Sequence, residues 1–339
     1  MKMLKRFLMM SIVAAVCVMG QVSRAAPPAE SPKEALHRLG GLNVGVHDPS
    51  AIIRCNDEYW IFFTGNGTPS LRSRNLTDWR AGPRTFSGTP AWVYQAVPGF
   101  FGGNFWAPDV IKIGGRYMLF FSASAFGKNT SVIGVATNPT LDPSDPAYHW
   151  SDGGGVIVSK EADDFNCIDP AAMVDKDGKL WLAFGSFWSG IKMIELDPAT
   201  GRRITPDSKM YSLAHWDAIE GSYLYRHDDH YYLFVSMGMC CRGVFSTYQT
   251  RVGRADKISG PYYDKDGTDL LLGGGTSVAH TDGPLVGPGQ PGIFEENGKF
   301  WFSCHFYDAT AGGMSRLSIR PLSWSVDGWP VLGEIEPAK

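Results

Sequence analysis

The chain has 339 residues, 44% hydrophobic and 19% charged, with 40 Gly and 22 Pro: a globular, turn-rich composition long enough to bury a sizeable core. A net charge of −3, with no basic stripe interleaved with aromatics, argues against a nucleic-acid binder. Aromatic residues make up 13% of the chain, 11 Trp among them, a stock that serves packing and also suits stacking on sugar rings.

In chain order, Lys2, Lys5 and Arg6 precede an apolar run from Phe7 to Met19, followed by small and polar residues up to Ala25. That order reads as an export signal over residues 1–25, with cleavage near Ala25 or Ala26, and the apolar run is too short to span a membrane. A secreted or periplasmic protein with no membrane anchor is therefore expected. Residues 26–41, with "APPAESPKE", read as a flexible lead-in, and residues 42–339 as one catalytic domain.

Five segments of that domain share one plan: a short strand, a tight polar turn, then a strongly aromatic strand. They are "DPSAIIRCNDEYWIFFTG" from Asp48, "WAPDVIKIGGRYMLFFSAS" from Trp106, "DPAAMVDKDGKLWLAFGS" from Asp169, "EGSYLYRHDDHYYLFVSMG" from Glu220 and "GQPGIFEENGKFWFSCHF" from Gly289. The turns Asn56-Asp57, Gly114-Gly115, Asp177-Gly178, Asp228-Asp229 and Asn297-Gly298 are of hairpin type. Equivalent positions recur about every sixty residues, as expected for one four-stranded unit per repeat. The fold class predicted is all-β, a five-bladed β-propeller; a sandwich or jelly roll gives no reason for five copies of one hairpin.

Equivalent slots at the entry to the first strand of each repeat hold Asp48, Trp106, Asp169, Glu220 and Gly289. In a propeller, equivalent innermost positions ring the channel at one height, so three carboxylates from three blades converge on one mouth. Turn capping or calcium ligation is the alternative reading of such a ring. Convergent carboxylates push each other's pKa values apart, so that one stays ionised while another keeps its proton. Glycoside cleavage needs that division of labour. Three acids spread across a channel mouth also predict carboxyl separations wide enough for an inverting enzyme, about 6.5–9.5 Å.

Of the remaining candidates, Trp106, Phe187 and Trp188 are expected at the walls of a sugar site, with packing as the alternative. Asp109 either binds substrate or caps a strand, and His47 either hydrogen-bonds at the channel or supports its turn. Beyond the export signal, Cys55 and Cys304 read as buried free thiols, and five cysteines without CxxC spacing do not make a zinc site. The adjacent Cys240 and Cys241 are either joined or free.

"VHDPSAII", "FWAPDV", "CIDPAAMV", "FGSFWSGI", "IEGSYLY", "CCRG" with "STY", "GGGT", "GPG" and "RPLSWSVDGWPV" together resemble glycoside hydrolase family 43 over residues 42–333, most closely its endo-1,5-α-L-arabinanases. The resemblance implies a five-bladed propeller, and Asp48 as general base, Asp169 as the carboxylate that tunes and orients the acid, and Glu220 as general acid. It implies a monomer acting on plant cell-wall polysaccharide: arabinan and the side chains of pectin. It implies no organic cofactor. Family members carry a His after "GPG" that helps hold a calcium in the central channel; Gln290 stands there in this chain. Either calcium binds with Gln290 as an altered ligand, or the channel holds water. His305 is expected to be structural, with a reach into the channel as the alternative. Exo-acting α-L-arabinofuranosidase, β-xylosidase and a sugar-binding propeller without chemistry remain open beside the endo-arabinanase reading.

Overall fold

Alternation of apolar residues around turns with left-handed backbone makes each of the five hairpins, and all five form in the computed structural model, which describes residues 30–336. Two-residue turns close the pairs Cys55 with Glu58, Ile113 with Arg116, His227 with His230 and Glu296 with Lys299. At Gly114-Gly115 and Asn297-Gly298 both residues have positive φ, the geometry that matches the twist of the flanking strands. The third hairpin differs. There Val174 pairs with Leu180, so Asp177-Gly178 lies in a longer loop in which Asp175 Oδ1 accepts from both Asp177 and Lys179 N–H.

Each hairpin opens a four-stranded antiparallel sheet in which neighbours in sequence are neighbours in space, and the five sheets are the blades of a β-propeller. Their innermost strands are Ile53–Cys55, Asn104–Ile113, Ala171–Val174, Ile219–His227 and Leu285–Glu296. Blade two also takes the short strand Gly65–Asn66 beside its inner strand.

A blade is buried on both faces, so adjacent residues of one strand serve different neighbours. Phe120 and Phe121 are fully buried, the first in the cluster between blades two and three, the second in the cluster between blades one and two. Leu233 and Phe234 do the same between blades three and four and blades four and five. A fifth cluster, with Ile52, Ile61, Leu317 and Ile319, joins blade five to blade one and closes the ring.

The lead-in is not flexible from Ser31 onward. Pro32–Arg38 is a helix, capped by Ser31 accepting from Glu34 N–H while the Glu34 carboxylate accepts from Ser31 N–H, with Pro in the first turn. The Ser-x-x-Glu box in "SPKE" is a start signal for a helix. Leu39 then packs on Leu285 and Phe306, and the following chain bonds to blade five, Leu42 N–H to Leu317 O (2.8 Å) and Leu317 N–H to Val44 O (2.9 Å). The start of the domain is thereby fastened to its last blade. The export signal lies outside the described residues.

One feature of the inner strands positions the site. Where they begin, a residue takes left-handed backbone: Asp48, Ala107, Asp169, Gly221 and Gln290, with φ of 48°, 39°, 58°, 55° and 55°. In blades two, four and five the ladder register shifts at the same place, as a β-bulge. A bulge re-aims the side chain beside it, here toward the channel mouth. At Gly221 the absence of a side chain is required by space as well: a Cβ would come 2.7 Å from Gln290 Oε1 and 2.8 Å from Ser236 Oγ.

Candidate active site

The slots holding Asp48, Asp169 and Glu220 open together into one cleft of about 910 Å³ at the channel mouth. Trp106, Phe187 and Trp188 line it, as the sequence suggested, together with Phe126, Arg242 and both residues of the Cys240–Cys241 disulfide. Asp109 does not reach it. Its buried carboxylate accepts from Ala172 N–H (2.8 Å), tying blade two to the inner strand of blade three, away from the cleft lining. Burial pushes its pKa up to about 7, against hydrogen bonds from the backbone at Ala172, Val110 and Ala51.

Asp48 is the one acid of the three that faces a histidine pair. Oδ2 lies 2.7 Å from His47 Nδ1 and accepts from Thr64 Oγ1 at 2.7 Å. Burial alone would raise its pKa, but the charge and hydrogen bond of His47, with help from His305 and Thr64, hold it well below the usual carboxylate range. In return, Asp48 raises the pKa of His47 despite that side chain's burial. Asp48 is therefore ionised at neutral pH.

Asp169 and Glu220 have the opposite character. Burial raises the pKa of Asp169 well above its ordinary value, and the negative charges of Glu220 and Asp48 push it further, with only Gly221 N–H (2.9 Å to Oδ2) in opposition. Glu220 is raised by burial too, and by Asp48, against the hydroxyls of Ser186 (2.6 Å to Oε2) and Tyr248 (to Oε1). Two buried carboxyls joined through Gly221 titrate as a pair, and that pair keeps a proton to higher pH than an exposed carboxylic acid does. One ionised carboxylate thus faces a protonated pair, which equips the cleft for simultaneous base and acid catalysis.

Several of these partners were not singled out in the sequence. Thr64 stands sixteen residues after Asp48, at the second-strand position that pairs with the slot in other blades, where Ser122, Ser236 and His305 occur. A polar residue in the middle of four aromatic strands was a readable clue. Tyr248 lies in "STY" and Ser186 in "FGSFWSGI", but nothing in their spacing says that both hydroxyls meet Glu220.

His305 is fully buried, its ring stacked on His47 at 4.2 Å, and its Nδ1 accepts from Asp48 N–H at 3.2 Å. Burial and the neighbouring His47 drop its pKa to about 3, so it is neutral and supports the base through the backbone. Among the described residues, the one group of three His, Cys, Asp or Glu side chains close enough to share a metal is His47, Asp48 and His305. His47 and Asp48 are engaged with one another and His305 Nδ1 with the Asp48 backbone, while His305 Nε2 is buried without a hydrogen-bond partner. Gln290, also buried, has its amide oxygen beside Gly221 and brings a single neutral oxygen where a calcium ion prefers six to eight.

The architecture has known counterparts. The extracellular endo-α-(1→5)-L-arabinanase 1 of Bacillus subtilis is 38% identical over 334 residues, 96% of this chain and 97% of its own. The extracellular exo-α-(1→5)-L-arabinofuranosidase of Cellvibrio japonicus is 38% identical over 311 residues, 88% of this chain and 89% of its own. The structure of a Cellvibrio cellulosa α-L-arabinanase complexed with arabinohexaose matches with a TM-score of 0.82 at 38% identity, over 85% of this chain and 95% of that one. The model of the glycosyl hydrolases family 43 matches residues 42–330, nearly the whole propeller, and the chain belongs to that family.

Proposed function

We propose that this protein is a secreted glycoside hydrolase that cleaves α-1,5-linked L-arabinan, acting within the chain and inverting the anomeric centre. The observation that carries the reading is the split between an ionised Asp48 and the proton-holding Asp169–Glu220 pair at one cleft. Asp48 Oδ2 is occupied by His47 and Thr64, which leaves Oδ1 to take a proton from water as that water attacks the anomeric carbon. Glu220 delivers its proton to the departing glycosidic oxygen on the other side of the ring. Asp169 holds Gly221 N–H, and with it the acid's backbone; burial and the charge of Asp48 raise the pKa of Glu220, whose own charge pushes Asp169 up. The aromatic walls, Trp106, Phe187 and Trp188, offer flat faces to the sugar. The basic, apolar run at residues 1–19 and the word extracellular in the names of both relatives support export, with cleavage near Ala25 or Ala26.

The test is stereochemical and quantitative. Proton NMR of linear arabinan digests should show the β-anomer first, before mutarotation, with a ladder of oligosaccharides. An α-anomer first would make Asp48 a nucleophile, and absence of new reducing ends would leave a sugar-binding propeller. The equal similarity to an exo-acting relative keeps one second reading in play, release of short products from a chain end. A product profile on debranched arabinan, compared with xylan and arabinoxylan, separates it from the endo reading and from xylosidase activity.

Any calcium in the channel is proposed to rest on the Gln290 amide oxygen and water, and to support the site without joining the chemistry. Gln290→His is then expected to change the effect of chelators on activity more than the preference among arabinan, xylan and arabinoxylan. Complete and irreversible inactivation of the unmodified protein by mild chelation would show that the ion matters more than this.

A further inference from the structure

Behind the base runs a relay of hydrogen bonds that reaches the rim of the cleft. His47 Nδ1 faces Asp48 Oδ2 at 2.7 Å, so a proton sits between them and Nε2 is left for a second partner. Nε2 lies 2.9 Å from the hydroxyl of Tyr307, which is buried on the second strand of blade five. The Tyr307 oxygen in turn accepts from Cys241 N–H at 2.7 Å. The line runs from the loop through the phenol and imidazole to the carboxylate. Cys241 has left-handed backbone, φ 61°, and is joined to Cys240 in a disulfide between adjacent residues, on a loop closed by Met239 N–H to Thr247 Oγ1 and Ser246 Oγ to Met239 O, both 2.9 Å. Both cysteines line the cleft.

We propose that Tyr307 is a positioning residue for Asp48, acting through His47, and that the Cys240–Cys241 loop is the anchor that holds Tyr307 in place. The inference rests on the reading of Asp48 as the general base. His47 has its lower face fixed by the stacked His305 but its in-plane rotation fixed only by its two ring nitrogens. Without the phenol, the imidazole is free to turn, and the carboxylate it grips turns with it. Oδ1 then loses the orientation in which it meets the attacking water. Substrate contacts are untouched, because Tyr307 is not among the cleft-lining residues.

The test uses the full chain with Tyr307→Phe, alone and in an Asp48→Asn background. Loss of one buried hydrogen bond in a network is expected to lower kcat about tenfold, with KM held within about twofold. The loss should be the same on arabinan and on an aryl α-L-arabinofuranoside, since water activation does not depend on the leaving group. In the Asp48→Asn background, Tyr307→Phe should cost nothing further, whereas a packing defect would lower the rate equally in both backgrounds. A Cys240→Ser/Cys241→Ser protein should show the same fall in kcat, absorbed when Tyr307 is already Phe. Unchanged kcat in Tyr307→Phe, or an equal cost with and without Asp48, overturns the inference. A rise in KM alone in the double Ser variant overturns the anchor and makes the disulfide a substrate surface. Near-normal kcat in Asp48→Asn by itself would instead sink the assignment of the base.

Discussion

Glu220→Gln is expected to lower kcat on arabinan by about 10²–10⁴, the range usually lost with a general acid. The amide keeps the shape of the side chain and still accepts from Ser186 Oγ, so folding and substrate affinity should change little. What disappears is the proton held at high pH by burial and by the charge of Asp48. On aryl arabinofuranosides with activated leaving groups, which need little protonation, the loss should shrink to a small factor. An equal loss on both substrates would mean that Glu220 binds sugar and does not donate to it. The residual activity should also lose its alkaline limb, because the group whose ionisation ends catalysis is gone.

Asp48→Asn is expected to cost a comparable factor, about 10²–10⁴, but without regard to the leaving group. The pH dependence follows from the signs of the two shifts. Asp48 is active when ionised, and its pKa lies below the usual carboxylate range, so kcat/KM should rise with pH only through that low range. Glu220 is active when protonated, and the raised pKa values of the Asp169–Glu220 pair extend activity upward before it falls. The profile should therefore be a bell, broader on both sides than two unperturbed carboxyls would produce. Asp48→Asn should flatten the acid limb and leave the alkaline one. An acid limb persisting in Asp48→Asn at its original position would assign that limb to another group and remove Asp48 from the base role.

Much of the fold was legible because a hairpin is a local object. Alternating aromatics flanking Gly114-Gly115 or Asn297-Gly298 prescribe two strands and their register without reference to any distant residue. The helix at Pro32–Arg38 is equally local, written in the capping box of Ser31 and Glu34, although surroundings rich in Pro and Ala read as a flexible segment. Asp109 shows the opposite case. A carboxylate three residues beyond a site slot looks functional in one dimension, but the bulge between Trp106 and Asp109 turns it to the backbone of the next blade.

The repeat, the number of blades and the three carboxylates are legible in one dimension, since each depends on spacing along the chain. Tertiary structure alone decided their chemistry. Whether a carboxyl keeps or loses its proton depends on burial and on which side chains meet it. His47, next to Asp48 in the chain, must be turned onto its carboxylate, and other partners come from elsewhere: His305 of blade five beside Asp48, and Ser186 from the segment after blade three's second strand on Glu220. Those partners lie far away in sequence, and electrostatic energy falls with distance in space, not with separation along the chain. The joining of Cys240 to Cys241 and the hold of Tyr307 on His47 belong to the same class, because each depends on a loop being held against a blade that the chain completes some sixty residues later.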